Sequence, residues 1–427
     1  MGEGRGSAHS ADKAFFKFII LILMGTLTVS RVKITLMSTP LPPWYEIVLF
    51  FDVPLLLFLL AVLLLAHLMS GGEIRIRNFW SFAPIPLLLA WLLLSGILMA
   101  QKPMFFAAGY GQWVLAYLAF LLLPPLLARF GLIDYAVDAF LAWSIAGGVA
   151  HLGMTVLHPD QVLVGVASVF GGNRAHVGFY FLIALATAVY AWSQRQRKLH
   201  GVAMTIAVLC VLTSGSRASQ MAAVLFLVLL IISTRSAKMI ALGLPAIAGL
   251  IGLFKLILAD RGSDAFAVAK GVNIDASAGY RLLIWLKSWE IITQSQEHFL
   301  FGIGYSNFRF LFYKLVYTPF YANAAHNVYL HYWVETGLIG LLLLLLVCLS
   351  LLVYCWRHGR HEPGLRSMGF LVLGALFTGL TQETFVPAPF NGNVLTLFFL
   401  IMGLTTYKAA RDLPADVPER EPGPLPA

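Results

Sequence analysis

Three arginines in this sequence are suited to binding a phosphate-bearing ligand. Arg174 and Arg217 each follow a short turn rich in glycine, serine or asparagine, and Arg281 follows a Gly-Tyr pair. A guanidinium group stays protonated and binds phosphate oxygens through two parallel hydrogen bonds, and small neighbours let a ligand approach the backbone closely. We therefore expect an anion site. The alternative is that each arginine only extends its charge from a membrane helix into the interface.

His326 is the candidate for proton transfer. It stands beside Asn327, directly before a long apolar run. A neutral imidazole accepts the proton of an attacking hydroxyl group at physiological pH, so we expect His326 to be catalytic. The alternative for His326 is a packing or helix-capping role. Possible supporting residues of the same site are Asn327, Tyr329, Glu335 and His176.

The composition indicates what kind of scaffold holds these residues. The 427-residue chain is 59% hydrophobic and 11% charged, and its mean hydropathy is +0.82, far from the composition of soluble globular proteins. Apolar runs of about 20 residues are long enough to cross a bilayer as helices. Twelve apolar runs occur, at residues 15–30, 45–69, 80–99, 107–128, 135–157, 177–193, 202–214, 218–233, 239–259, 329–354, 368–381 and 394–408. The sequence predicts a single all-α integral membrane protein with about twelve transmembrane helices.

The basic residues indicate how these helices are oriented. Lysine and arginine favour cytoplasmic loops, and here they are concentrated in alternate short loops, for example at 195–198, 235–238 and 357–366. Both termini are therefore expected in the cytoplasm, with the long segment 260–325 outside. The net charge of +9 reflects this topology and contact with anionic headgroups. Nothing in the sequence indicates a nucleic-acid partner.

This topology divides the chain into five expected parts. They are a disordered N-terminus (1–12), helices 1–9 (13–259), a large outer loop with amphipathic helices (260–325), helices 10–12 (326–411) and a disordered tail (412–427). The sixth, eighth and tenth helices run inward. Their N-termini, which favour anions, are therefore expected outside, beside Arg174, Arg217 and His326. The outer loop carries Arg281 and is expected to act as a lid over this site.

Several kinds of chemistry are not expected. Cys210, Cys348 and Cys355 lie within apolar runs, which argues against a disulfide framework or a cysteine metal site. The first outer loop has no paired acidic motif for a divalent cation, and no glycine-rich nucleotide loop occurs. We therefore expect no metal and no other cofactor, so the energy for any transfer must reside in the substrate.

Taken together, these features resemble the bacterial O-antigen ligase family, within the O-antigen ligase/polymerase superfamily of polytopic membrane glycosyltransferases. As topology, the resemblance covers most of the chain. At residue level it rests on Ser214-Gly215-Ser216-Arg217, on Gly279-Tyr280-Arg281, and on His326-Asn327-Val328-Tyr329-Leu330 with Trp333, Glu335 and Gly337.

The resemblance implies a GT-C-like, metal-independent, inverting glycosyltransferase. Its donor would be O-antigen polysaccharide on undecaprenyl pyrophosphate, and its acceptor a sugar hydroxyl of lipid A–core oligosaccharide at the periplasmic face of the bacterial inner membrane. Arg217 and Arg281 would bind the pyrophosphate, and His326 would activate the acceptor hydroxyl. Arg174 is added as a third contact because of its place at an outward helix end.

Three alternative functions remain open. An O-antigen polymerase would use the same donor with a second lipid-linked glycan as acceptor, and a protein O-oligosaccharyltransferase would glycosylate Ser or Thr. The non-enzyme alternative is a transporter of lipid-linked glycans. Against it, the notable polar residues cluster at one membrane face, whereas transporters place their binding sites near the midplane. The sequence does not determine the sugars involved or the oligomeric state.

Overall fold

The computed structural model of the chain describes residues 4–28, 32–35, 46–49, 52–69, 79–157, 174–234, 248–249, 252, 276–308, 324–387 and 394–412. Helices account for nearly all regular structure in these ranges, which agrees with an α-helical integral membrane protein. Five helical stretches are long and apolar enough to cross a membrane. They are Phe105–Arg129, Ile133–Leu157, Ala175–Arg195, Val328–His358 and Val394–Arg411.

Fourteen α-helices fall within the described residues. They are α1 (Gly4–Thr28), α2 (Asp52–Met69), α3 (Pro84–Met99), α4 (Pro103–Leu121), α5 (Leu123–Arg129), α6 (Ile133–Leu157), α7 (Arg174–Arg195), α8 (Lys198–Thr213), α9 (Arg217–Thr234), α10 (Ala276–Thr293), α11 (Gln296–Phe301), α12 (Val328–His358), α13 (Gly364–Gly379) and α14 (Val394–Asp412). A 3-10 turn at Phe79–Phe82 precedes α3.

The helices overlap eleven of the twelve predicted apolar runs. The ninth run, 239–259, lies almost entirely outside the described residues, so the number of twelve transmembrane helices stays a prediction. α10 and α11 fall within the segment predicted as a large outer loop with amphipathic helices. Most of the predicted tail, from residue 413 onward, lies outside the described residues.

Two departures from the predicted elements occur near the N-terminus. α1 begins at Gly4, so residues 4–12, which were expected to be disordered, are helical; they contain no proline and extend the helix backward from its apolar part. The second run does not begin as a helix. Strand β2 (Glu46–Leu49) pairs antiparallel with β1 (Val32–Thr35), and this pairing uses backbone groups that a helix would need. The helix begins afterwards, at Asp52.

α7 lies at the centre of the described bundle. It packs against α8 and α13, and its Phe179, Phe181 and Leu182 are almost completely buried. α14 packs against α4 at a close backbone contact, because a Cβ atom on Gly403 would lie 2.5 Å from the carbonyl oxygen of Phe120. Small residues allow such close helix packing inside membranes.

Asp138 joins α6 to the α7–α8 connection. Its carboxylate accepts hydrogen bonds from Arg195 (2.8 Å) and Arg197 (2.6 Å) and lies 3.1 Å from Nε2 of the buried His200. These arginines belong to the basic cluster from which the topology was predicted. In the structure they form ion pairs within the protein in addition to any contact with lipid headgroups.

A second ion pair attaches the last helix to the same region. Lys408 of α14 donates to Asp134 of α6 at 2.6 Å, and Arg195 donates to the carbonyl oxygen of Asp134 at 3.3 Å. Three helices distant in sequence are therefore held together at one end of the bundle by two carboxylates.

Replacing the shared carboxylate should destabilise the bundle. In Asp138→Asn, the three basic partners lose their counter-charge, and we expect a loss of about 1–3 kcal/mol, seen as a lower melting temperature in detergent. Glu290→Gln is the matched control, because the Glu290–Lys287 pair is exposed and exposed pairs contribute little. Equal melting temperatures for Asp138→Asn and the wild type would show that this network is not stabilising.

Candidate active site

His326 lies at the point where the described chain enters α12. Its backbone adopts a left-handed conformation with φ of 51°, a strained geometry that occurs often at functional sites. The side-chain oxygen of Asn327 accepts the N–H of Leu330 at 3.0 Å, so Asn327 is the N-cap of the helix. Since Asn327 performs the capping, the His326 side chain is left for another role.

Glu383 is the direct partner of His326. Nδ1 of His326 lies 2.6 Å from Oε1 of Glu383, and the two side chains are 34% and 7% exposed. Burial alone would raise the pKa of the Glu383 carboxyl. The hydrogen bond and charge of His326, with the charges of His176 and His331, outweigh this and hold that pKa below its usual value of 4.5. Glu383 is therefore ionised at neutral pH, while His326 remains partly open to solvent.

This acid–histidine pair was not found from the sequence, because Glu383 was not singled out. It follows α13, which packs against α12, and the hydroxyl of Tyr329 binds the carbonyl oxygen of Leu376 (2.5 Å) near the adjoining ends of these two helices. A signal was present: Glu383 is a lone carboxylate in a Thr-Gln-Glu-Thr stretch between two apolar runs. The short connection between α12 and α13 makes the two helices antiparallel, so the end of α13 lies beside the start of α12. This arrangement would have predicted that Glu383 lies near His326.

The turn before α9 lies next to Glu383. Gln382 donates from Nε2 to Oγ of Ser216 at 2.6 Å, and Ser216 also accepts the N–H of Ser219 at 3.3 Å as the N-terminal cap of α9. Arg217, the first residue of α9, is exposed. We call this end of the bundle, with His326, Glu383 and the turn before α9, the site face.

A second set of contacts brings the helix of Arg281 to the site face. Trp285 on α10 donates from Nε1 to the carbonyl oxygen of Ala325, the neighbour of His326, at 2.9 Å. Arg281 is half-buried and precedes Trp285 by four residues, so the two share one face of the helix. Ile284 of α10 is buried in a small apolar cluster with Val334 of α12.

The N-terminus of α7 completes the site face. A Cβ atom on Gly178 would lie 2.5 Å from Oγ of Ser219, so α7 and α9 approach closely there. His176 is buried and close enough to Glu383 to lower the pKa of its carboxyl. Arg174 is the first residue of α7, but its side chain lies outside the described residues.

Glu335 contacts Phe308 and His331. Its Oε1 accepts the N–H of Phe308 at 2.9 Å, and its Oε2 lies 3.3 Å from Nε2 of His331. Glu335 is almost fully buried. It therefore joins the end of the outer segment to α12 and orients His331, and it does not contact His326 through any hydrogen bond of the described residues.

α12 is interrupted two residues after Glu335. Gly337 has φ of 68° and is not helical. The carbonyl oxygens of Val334 and Glu335 instead accept the N–H groups of Ile303 and Gly304, both at 2.9 Å. The segment 302–308 is thus hydrogen-bonded to the broken helix.

The same segment is attached to α3 and its C-terminal end. Asn307 donates from Nδ2 to the carbonyl oxygen of Met99 (2.7 Å), and its Oδ1 accepts the N–H of Gln101 (2.9 Å). Tyr305 donates its N–H to Oγ of Ser95 at 3.1 Å. The prediction that the outer loop as a whole is a lid is therefore wrong for residues 302–308, because their backbone is hydrogen-bonded into the bundle.

Comparison with known proteins agrees with this part of the fold. Residues 202–345 match the family model described as O-antigen ligase. This stretch is an O-antigen ligase family domain. The domain includes Arg217, Arg281 and His326, whereas Glu383 and Arg174 lie outside it. A search of the curated proteins finds no match.

At a coarse level, this match supports a transferase of the O-antigen ligase and polymerase type. The structure brings the turn of Arg217, the helix of Arg281 and His326 to one face. The roles of these residues stay predictions. No group of three metal-binding side chains occurs among the residues that the structure describes, and metal independence stays a prediction as well.

The broken helix gives a test of how the outer segment is held. In Gly337→Ala, the new Cβ atom would collide with the backbone of Leu300 at a positive φ, so we expect a cost of about 1–3 kcal/mol and loss of the hydrogen bonds to Ile303 and Gly304. Hydrogen exchange of the peptide covering 302–308 should become faster.

Gly111→Ala is the matched control, since a Cβ atom there meets no atom within 4 Å and alanine favours a helix. Unchanged exchange at 302–308 in Gly337→Ala would show that the break in α12 does not hold this segment.

Proposed function

We propose that the protein is an O-antigen ligase. It transfers O-antigen polysaccharide from undecaprenyl pyrophosphate to a sugar hydroxyl of lipid A–core oligosaccharide. The observation that carries this proposal is the contact between His326 and Glu383, beside the exposed arginine of a matched O-antigen ligase domain. In this proposal the site face is periplasmic and the helices span the bacterial inner membrane.

His326 is the general base. A carboxylate at Nδ1 favours the tautomer that carries its proton on that nitrogen, and Nε2 then accepts the proton of the acceptor hydroxyl. The 34% exposure of the His326 side chain supports this assignment, because the acceptor must reach it from outside the bundle. Glu383 stabilises the imidazolium that forms.

The bond changes balance without another reactant. The acceptor oxygen attacks the anomeric carbon from the face opposite the leaving group, and its proton passes to His326. The bond from the anomeric carbon to the pyrophosphate oxygen breaks, and that oxygen takes the electron pair. Attack from the opposite face inverts the configuration, and the products are the glycosylated acceptor and undecaprenyl pyrophosphate.

The arginines neutralise the charge that develops on the leaving group. Arg217 and Arg281 would each present a guanidinium that remains protonated and forms paired hydrogen bonds with phosphate oxygens. Fixed positive groups near a developing negative charge lower the barrier because they need no reorganisation during the reaction. Arg174 is a proposed third contact at the start of α7.

Substitutions in the acid–histidine pair test the base. His326→Ala should lower the transfer rate by about 10²–10⁴-fold, the usual contribution of a general base. Glu383→Gln keeps the shape but removes the charge, and should cost about 10- to 100-fold, the value of a charge-assisted hydrogen bond. The measurement is transfer by purified protein in nanodiscs with a lipid-pyrophosphate-linked glycan donor.

The pKa of Glu383 determines when this pair is present. Because the pKa is lowered in the folded protein, the stabilisation by the charged carboxylate is complete above about pH 4.5 and is lost as the pH falls through the lower folded value. The rate difference between the wild type and Glu383→Gln should therefore be present at neutral pH. Normal rates for both His326→Ala and Glu383→Gln at neutral pH would contradict the proposed base.

Arg217→Ala tests the donor site. We expect transfer to fall by about 10²–10³-fold, as when one donor to a developing oxyanion is lost, and Arg217→Lys should recover only part because lysine lacks the planar fork. Arg360→Ala is the control, because Arg360 is exposed beyond the opposite end of α12. A wild-type rate for Arg217→Ala would remove Arg217 from the pyrophosphate site.

The same assay separates the alternative functions. Lipid A–core, a second lipid-linked glycan and a Ser/Thr-rich secreted protein are offered together as acceptors, and the product identifies a ligase, a polymerase or a protein transferase. Glycan on lipid A–core supports the proposal, and product only on another acceptor refutes it.

A further inference from the structure

α10 presents three chemically different sides. One side faces the bundle through buried Ile284, Ser288, Ile291 and Ile292. With 3.6 residues per turn, successive side chains are about 100° apart around the helix, and these four fall within an arc of about 100°. This side accounts for the contact between α10 and α12.

A second side is apolar and uncovered. Leu282, Leu286 and Trp289 are 56%, 59% and 49% exposed, and their spacing of four and three residues places them on one stripe of the helix. Among the described residues, the Trp289 ring contacts the ring of Trp333 on α12 at 5.6 Å, and the three side chains otherwise stay exposed. In water, such a stripe of large apolar groups is unfavourable.

The third side carries charge. Lys287 and Glu290 form an exposed ion pair of 2.6 Å, centred about 100° around the helix from the apolar stripe. Leu283 also lies on this side. A helix with one apolar and one charged exposed side is typical of a segment that lies in the plane of a membrane interface.

Exposed apolar residues also lie on α11, which contacts α10, and on α3. Leu300 and Phe301 at the end of α11 are exposed, and the ring of Phe301 lies 6.1 Å from the ring of Trp91 on α3. On the same face of α3, Leu94 and Leu98 are also exposed. The exposed apolar surface of an apolar bundle helix therefore extends to the two outer-segment helices.

We propose that α10 and α11 are inserted in the membrane at the site face, with Leu282, Leu286, Trp289, Leu300 and Phe301 in contact with lipid acyl chains. These five residues form the loop-helix surface. Lipid is the partner that fits, because Phe301 carries this surface onto the exposed face of α3 and because the charged pair of α10 is centred about 100° around the helix from the apolar stripe. α10 and α11 are thus a membrane-embedded part of the protein.

This insertion determines the depth of Arg281 in the membrane. The consequence for donor binding rests on the proposed function. Arg281 is half-buried and falls within the protein-facing arc of α10, on the half of that arc nearer to the loop-helix surface. With α10 lying in the membrane interface, a guanidinium held between α10 and the bundle sits at the level of lipid phosphates. A lipid-linked pyrophosphate would then reach Arg281 by lateral movement within the leaflet.

Spin labels on the full-length protein in nanodiscs test the insertion. A cysteine is introduced at Leu286→Cys on the loop-helix surface and, as the matched control on the charged side about 100° around the helix, at Lys287→Cys. Collision of the nitroxide with oxygen, which concentrates in lipid, is compared with collision with a nickel chelate, which stays in water. The native cysteines Cys210, Cys348 and Cys355 are buried, and the wild type treated in the same way gives the background.

We expect oxygen to be favoured several-fold at position 286 and the nickel chelate to be favoured at position 287. The chelate favoured at both positions would place α10 in water and overturn the proposal. Low collision with both agents at position 286 would mean that another segment covers the surface, which also overturns it. Each variant is compared with the wild type by gel filtration, and Leu300→Cys provides a second lipid-facing position should Leu286→Cys fail to fold.

The membrane insertion of α10 and the pyrophosphate role of Arg281 can be refuted independently. Oxygen-favoured collision at position 286 together with normal transfer by Arg281→Ala would support the insertion and remove Arg281 from the pyrophosphate site. Chelate-favoured collision together with lost transfer by Arg281→Ala would retain the pyrophosphate role and overturn the insertion.

Discussion

The contact between His326 and Glu383 depends on nearly everything else in the described structure. A buried carboxylate is unfavourable unless it is paired, and here the pair forms only because α12 and α13 lie side by side with their ends together. Glu383 follows α13, while His326 is held in a left-handed conformation ahead of the Asn327 cap. The packing of these two antiparallel helices therefore places the carboxylate of Glu383 next to the imidazole of His326.

The second constraint is the interruption of α12 at Gly337. A backbone carbonyl in a membrane needs a hydrogen-bond partner, and the break leaves carbonyl oxygens of α12 without their helical donors. Residues 303 and 304 provide donors for two of them, and Trp91 donates from Nε1 to the carbonyl oxygen of Thr336 at 2.9 Å. The outer segment is thus part of the helix packing, and the opposite end of the bundle is tied by Asp134 and Asp138.

Much of the scaffold could be predicted from local information. The apolar runs indicated helices because a membrane requires every backbone group to be satisfied within the segment. One of the helices α1 to α14 overlaps each of these runs except 239–259, which lies almost entirely outside the described residues. The failure at the start of the second run has a non-local cause. Residues 46–49 are a strand because a partner strand is available, and β pairing depends on a segment distant in sequence.

The sequence by itself determined the membrane class, the family resemblance and the choice of Arg217, Arg281 and His326, because these follow from residue type and short spacing. Only the tertiary structure identified Glu383 as the partner of His326, joined Glu335 to the N–H of Phe308, and joined residues 302–308 to α3 and α12. Such contacts join residues that are far apart in the chain or held at a break in a helix. Their partners are decided by how helices pack, and side-chain spacing along a single helix carries no record of that packing.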